Sequence, residues 1–321
     1  MFNRNAKKKT RFSDYLSGEY ARDYINQTTP YAEQIEQAAR AIREADYVLI
    51  GAGAGMSTAA GAEYGGKFFE ENFAEFLAIY GKGPYMQDMY SAGFYPFPDE
   101  ESKWGYWSHQ ALLAGIDLDV TPLHKTLLEA LEGKKLFLLS TNADHQFEKA
   151  GLPVNQIFQT QGSYKLIQCK RGCHPKTYDA ETLFRQMERE RKDGRIPREL
   201  VPKCPVCGGE MTMNLRVDDH FVEDGDWHAA EDRFSRFLSA CKDGKTVLLE
   251  LGVGFNTPTI IRFPFEKLAR ENENITLIRL SRSKAMVPAS LGGRAIGINA
   301  DMAKSITDLA EKLNHTGARK P

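Results

Sequence analysis

No apolar run in this chain of 321 residues approaches the length of a membrane-spanning helix, which needs about 20 residues. Neither sign of charge is in excess: 42 Lys and Arg stand against 43 Asp and Glu, a net charge of −1. The total therefore carries no electrostatic footprint for nucleic acid. Cysteine is scarce, with two close pairs and one outlier, Cys241. In a chain this long that pattern suits a metal better than a disulfide framework. Cys241, lacking a neighbour, reads as a small buried apolar residue. Internal repeats and low-complexity tracts are missing as well. The opening stretch, Met1 to Arg11, is basic but has no apolar signal core, so a cytoplasmic protein with neither nucleic acid nor membrane as partner is expected. What is present, 42% hydrophobic and 26% charged residues, fits one large globular domain or two ordinary ones.

The most informative stretch is Val48-Leu-Ile-Gly-Ala-Gly-Ala-Gly-Met-Ser-Thr-Ala-Ala-Gly61. Val48 to Ile50 is long enough for a buried strand end. Gly51, Gly53 and Gly55 follow, then the first turns of a helix. A strand, a glycine turn and a helix start make a phosphate site, with N–H groups and the positive helix end facing the anion. On this reading a Cβ at Gly53 would enter the space of the phosphates. The spacing departs from the usual dinucleotide G-x-G-x-x-G, and a tight turn that binds nothing fits it too.

Further strands are expected at 136–140, 154–160, 247–251, 275–280 and 295–298, alternating with helices. Each ends in Gly, Asn, Ser or Asp, residues that line the ligand edge of an open parallel sheet. The fold class is therefore α/β, a Rossmann-like doubly wound parallel sheet. Helices are expected at 31–45, from Thr121 to near Gly133, at 180–192, at 260–270 with a bend or restart at Pro264, and at 303–313. Between about 64 and 120 the chain is dense in aromatics, broken by Gly and Pro. It reads as a helical insertion, whose aromatics either form core or line a pocket for an apolar substrate.

Cys169-x3-Cys173 is followed, after 30 intervening residues, by Cys204-x2-Cys207-Gly-Gly. Two such pairs can close a tetrahedron of thiolates around Zn²⁺. Four thiolates leave no open coordination position, so the metal would be structural. The expected division is a nucleotide-binding domain over 1–164 and 210–321 with a zinc module over 165–209.

Taken in order, these stretches resemble the sirtuins. Gly53-Ala-Gly-Met-Ser-Thr-Ala-Ala-Gly-Ala62 resembles the family's G-A-G-x-S-x-x-S-G-I. Ser140-Thr-Asn-Ala-Asp-His-Gln-Phe-Glu-Lys-Ala-Gly151 resembles T-Q-N-I-D-x-L-H-x-x-A-G. Cys204-Pro-Val-Cys-Gly-Gly209 resembles the zinc motif C-P-x-C-G-G, and Gly252-Val-Gly254 the G-T-S loop. The resemblance implies an NAD site built from Gly53, Ala54, Gly55, Ser57, Thr58, Asn142, Asp144, Gln161, Gly252, Gly254, Asn256, Ser281, Asp301 and Met302. NAD would be consumed as a substrate, and the zinc would sit on Cys169, Cys173, Cys204 and Cys207.

The departures from the family bear on the reaction. Glu63-Tyr-Gly-Gly66 stands where sirtuins carry P-D-F-R-G, and Gln161 stands where they place a catalytic His. This set is similar to the macrodomain-linked bacterial sirtuins, called class M. That similarity implies a protein ADP-ribosyltransferase acting on a lipoylated carrier resembling the glycine-cleavage H protein, with a macrodomain hydrolase as a further partner. Its catalytic group would be Asn142, Asp144, Gln161 and Arg216. Glutamine does not titrate, and losing a general base costs deacylation about 10²–10⁴-fold. A carboxylate acceptor is already ionised at pH 7 and needs no such base. A deacylase or lipoamidase with a relocated base, His145 or His220, and a sensor that binds NAD or ADP-ribose without turnover are the alternative readings.

Overall fold

The computed structural model describes residues 23–255 and 258–314, which form two compact units. The first holds 23–56, 129–139, 237–255 and 258–314; the second holds 57–128 and 140–236. In chain order the strands are β1 (Tyr24–Ile25), β2 (Tyr47–Ala52), β3 (Lys135–Ser140), β4 (Ile157–Gln159), β5 (Gly162–Cys169), β6 (Thr177–Asp179), β7 (Met211–Leu215), β8 (Thr246–Leu251), β9 (Ile275–Ser281), β10 (Val287–Pro288) and β11 (Ala295–Asn299).

In the first unit β11, β9, β8, β2 and β3 lie side by side in that order. The ladders are parallel and in register: Val48 faces Val247, Leu248 faces Leu277, and Ile296 faces Ile278. Parallel sheets are covered on both faces, so their strands run apolar without alternation; β8 is buried along its whole length. The chain leaves β2 toward β3 on one side and returns through β8, β9 and β11 on the other. The order thus reverses between β2 and β8, the place where doubly wound sheets bind ligands. Helix Tyr31–Glu44 buries Gln34, Ile35, Ala38, Ala39 and Ile42, the three-and-four spacing of an amphipathic helix, and packs beside helix Met302–Asn314. The bend expected at Pro264 is absent. The helix begins at Arg262, so the proline occupies its first turn, where no N–H is needed.

Two strand residues in this core are charged. Arg279 of β9 donates to Glu250 of β8 at 2.8 Å and to Glu266 at 2.7 Å, and Arg262 donates to Glu250 at 3.2 Å. All four side chains are fully buried or nearly so. Tyr24 donates its hydroxyl to both Glu266 oxygens at 2.8 and 2.9 Å. Burial pushes the Tyr24 and Glu266 pKa values up. Nearby, Gln27 works on the edge strand: its Nε2 donates to the Ala295 carbonyl and its Oε1 accepts from the Gly297 N–H, both at 2.7 Å.

In the second unit, helices Gly66–Asn72, Ala74–Tyr80, Met89–Ala92 and Glu100–Ala111 form the aromatic stretch. Phe69, Phe73, Phe76 and Tyr106 are buried against one another, with Phe73 and Tyr106 rings 5.2 Å apart. The core alternative therefore describes these four, while Tyr85, Tyr90 and Phe94 are exposed. Asp88 and Asp99 cap the two later helices, each accepting a backbone N–H at 2.8 Å. The antiparallel strands β6, β5 and β7 make a separate small sheet. Its core includes Cys169 and Cys204 together with Trp104, Phe184 and Met187.

Candidate functional site

In the first unit the glycine turn after β2 locks against the turn after β8. Gly53 N–H donates to the Leu251 carbonyl and Gly55 N–H to the Gly252 carbonyl, both at 3.0 Å. These two N–H groups are thus spent inside the protein. The space argument changes. A Cβ on Gly53 would come within 2.8 Å of the Gly252 carbonyl oxygen, and one on Gly55 within 2.7 Å of Gly252 Cα. Gly252 itself has φ +61°, and its Cβ would meet Gly55 and Met56 backbone at 2.5 Å. The glycines serve close backbone approach first. Gly254 is half-buried beside this turn. Ser281 closes β9, and its Oγ accepts from the Lys284 N–H at 3.2 Å. Asp301 caps the last helix, accepting from Lys304 N–H at 2.9 Å, and Met302 is buried behind it. Asn256 lies outside the described residues.

Helix Ala54–Ala59 carries the chain from the first unit into the second. In the second unit Ser57, Asn142 and Asp144 come together. Ser57 Oγ donates to Asp144 Oδ2 at 2.5 Å and accepts from Asn142 Nδ2 at 3.0 Å. Ser57 and Asp144 are buried and Asn142 is half-buried; Thr58 is exposed. The loop is held from its own backbone: Asn142 N–H donates to Ser140 Oγ at 3.0 Å, and Gln146 N–H to Asp144 Oδ1 at 3.2 Å. Asp144 thus cancels one unpaired donor of the short helix that follows.

Gln161 joins Arg216 through the main chain, its carbonyl accepting the Arg216 N–H at 3.0 Å. The Arg216 guanidinium lies 4.1 Å from the centre of the Phe221 ring and 5.7 Å from that of Trp227. It also donates to Glu223 at 2.7 Å and to the Thr160 carbonyl at 3.3 Å. His145 is committed elsewhere. Its Nδ1 is 2.8 Å from Glu148 and its Nε2 is 2.6 Å from Ser163 Oγ. Since a carboxylate only accepts, Nδ1 carries a proton, and in the neutral ring Nε2 accepts from the serine hydroxyl. His220 is exposed.

Also in the second unit, Cys169, Cys173, Cys204 and Cys207 bring their sulfurs within 4.8 Å of one another. Two of the separations, Cys169 to Cys207 and Cys173 to Cys204, are 3.7 and 3.6 Å. A tetrahedron with Zn–S bonds of about 2.3 Å has edges of about 3.8 Å, so the cluster fits zinc. Arg171 draws the Cys207 thiol down, while desolvation and the neighbouring sulfurs push the Cys173 thiol up.

No protein-family model matches the chain. A solved Sir2 homologue–NAD complex shares the fold, with a TM-score of 0.55 at 15% identity over 92% of this chain and 99% of that one. A Sir2 homologue–ADP-ribose complex gives 0.57 at 15% identity over 89% and 99%. A Staphylococcus aureus protein named protein ADP-ribosyltransferase is 35% identical over 276 residues, 86% of each chain. The chain belongs to the protein ADP-ribosyltransferase family and has the Sir2 fold. Membership makes it an NAD-dependent ADP-ribosyltransferase, and its four-cysteine cluster fits a structural zinc. A Fusarium oxysporum f. sp. cubense relative, named a probable bifunctional ADP-ribose hydrolase/ADP-ribosyltransferase, is 31% identical over 311 residues. The match covers 90% of this chain and 49% of that relative. Among the described residues no helix is long and apolar enough to cross a membrane.

Two residues of this family member escaped the reading of its sequence. Tyr64 lies in the altered stretch 63–66, and its pKa is raised to about 12 by burial and by Asp144. His124 is fully buried, with Nδ1 2.6 Å from Thr121 Oγ1 and its ring edge-on to Phe147. Burial lowers its pKa to about 4, so the ring is neutral. The only signal for Tyr64 was the departure itself; His124 had none beyond its place at a helix start.

Proposed function

We propose that the enzyme transfers ADP-ribose from NAD to a lipoylated carrier protein in the cytoplasm, with Asn142, Asp144, Gln161 and Arg216 as its catalytic group. NAD supplies the ADP-ribose and releases nicotinamide. Gly53, Ala54, Gly55, Gly252, Gly254 and Asn256 hold the phosphates in this reading, Ser281, Asp301 and Met302 the adenosine end, and Ser57 and Thr58 assist. The observation that carries the proposal is the Asn142–Ser57–Asp144 cluster. Asp144 takes the hydrogen of Ser57, and Ser57 in turn orients the Asn142 amide. These dipoles are fixed before substrate arrives, and so need no reorganisation when charge develops.

Gln161 can donate and accept, but it cannot remove a proton. His145 has both ring nitrogens engaged, and His124 is sealed in the core. That favours an acceptor that is already ionised over an acyl group that must be attacked by a deprotonated hydroxyl. The zinc ties the end of β5 to the Cys204–Cys207 turn that leads into β7 and takes no part in transfer. The fungal relative joins a hydrolase to a transferase by name, which supports a macrodomain-type hydrolase as the enzyme that reverses this modification.

The test uses labelled NAD with a carrier protein, lipoylated or bare. Label should enter the lipoylated carrier, and Asn142→Ala and Gln161→Ala should lower incorporation while NAD still binds. Rapid release of acyl-ADP-ribose from an acylated peptide, with no labelled protein, would establish the deacylase instead. Binding without turnover of any kind would establish the sensor.

A further inference from the structure

The four sulfurs of the zinc cluster do not share one environment. Cys169 and Cys204 are buried, whereas Cys173 and Cys207 are exposed. The exposed Cys173 is followed directly by His174, whose Nδ1 lies 3.1 Å from Cys173 Sγ and 3.8 Å from Cys204 Sγ. The other ring nitrogen, Nε2, is 2.7 Å from the Tyr178 hydroxyl, with the two rings edge to face.

The chemistry of the partners settles which atom carries which hydrogen. A thiolate bound to a metal has no proton to give, so the imidazole must supply it, as Nδ1–H to sulfur. Nε2 then has a lone pair, and the Tyr178 O–H fills it. The tyrosine therefore selects the tautomer that can cover the sulfur. Four sulfurs already complete a tetrahedral zinc, so the imidazole acts on the ligand and not on the metal.

We propose that His174, held by Tyr178, is a positioning residue of the zinc site whose N–H···S bond shields the solvent-facing Cys173 thiolate and slows the loss of zinc. Zinc leaves a thiolate site when a sulfur is protonated or attacked. A hydrogen bond that draws charge from the sulfur slows both routes.

The experiment is zinc transfer from the zinc-loaded full chain to excess 4-(2-pyridylazo)resorcinol, followed by absorbance. His174→Ala should speed transfer about 10-fold, the low end of the ~10–100-fold effect of removing an outer partner of a metal ligand. Tyr178→Phe should speed it by a smaller factor. His174→Asn keeps an N–H donor and should return the rate toward the parent. In the cobalt(II)-substituted protein the thiolate-to-metal charge-transfer band should shift in His174→Ala and less in Tyr178→Phe. Transfer in both His174→Ala and Tyr178→Phe within twofold of the parent overturns the proposal. So does His174→Asn releasing zinc as fast as His174→Ala, or a parent protein that holds no zinc. Where circular dichroism shows His174→Ala unfolded, Tyr178→Phe alone decides by the same twofold limit.

Discussion

Replacing Gly252 by alanine tests the glycine lock directly, because the structure separates its two costs. The first is conformational: φ +61° is left-handed, which costs an L-residue about 1–2 kcal/mol. The second is steric. The new Cβ would sit 2.5 Å from Gly55 C and Met56 N, backbone atoms that cannot rotate away, and forcing such a group into packed structure costs about 1–3 kcal/mol. The sum, about 2–5 kcal/mol, is a large share of the ~5–15 kcal/mol that holds a typical protein folded. At about 2–4 °C per kcal/mol, Tm should fall on the order of 10 °C. Gly133, in the turn after helix Pro122–Ala130, provides the control, with φ +81° and nothing within 4 Å of an added Cβ. Gly133→Ala meets only the conformational cost and should lose a few degrees. Thermal melts of both variants without nucleotide read stability with ligand binding excluded. If Gly252→Ala melts within 2 °C of Gly133→Ala, the lock is not what these glycines are for. A role limited to phosphate space would then be the better account.

Cys204→Ser should abolish stoichiometric zinc and lower Tm; full zinc by metal analysis, or an unchanged melt, would contradict a structural four-thiolate site. Arg279→Met leaves Glu250 and Glu266 buried beside a single remaining guanidinium, a change expected to cost about 3–5 kcal/mol. A chemical-denaturation midpoint equal to the parent's would refute that accounting. His124 gives a pH signature. Its folded pKa, about 4 against the ordinary 6.5, means that the unfolded chain binds the extra proton between those values. Its contribution is whole above pH 6.5 and is lost as pH falls toward 4, on the order of 3 kcal/mol at 1.36 kcal/mol per unit. Urea midpoints for parent and His124→Asn at pH 7.5, 5.5 and 4.5 should converge at low pH; parallel lines would refute it.

The sheet was legible because its strands announce themselves twice. Val48 to Ile50 and Ile275 to Leu280 are apolar runs, and each stops at Gly, Ser or a similar residue that bends the chain at the ligand edge. The cysteine spacing was legible because four thiolates have few other uses. Glu250 and Arg279 were not, because each sits inside an apolar run and its partner comes from a neighbouring strand or helix. Pairing between strands leaves no local trace. The glycine turn was legible as a turn, but the lock it makes was not: which carbonyl receives the Gly53 N–H depends on β8, almost 200 residues later. Pro264 was misjudged by two residues of helix start, the difference between a kink and a favoured first-turn position. The role of His145 was open until Ser163 and Glu148 came into view, one of them contributed by the strand that follows Gln161.

Gln27 gives the edge of the first unit's sheet a further property. An outer strand exposes a row of donors and acceptors that any extended peptide can dock against. At β11 the primary amide of Gln27 takes the Ala295 carbonyl and the Gly297 N–H together, the same pair of bonds that an incoming strand would make first. One side chain thereby impersonates a stretch of backbone. It is cheaper to order than a whole strand and offers no onward ladder on its outer side. The sheet ends there because its last growth point is already occupied, and self-association through that edge has to displace an intramolecular competitor present at very high local concentration.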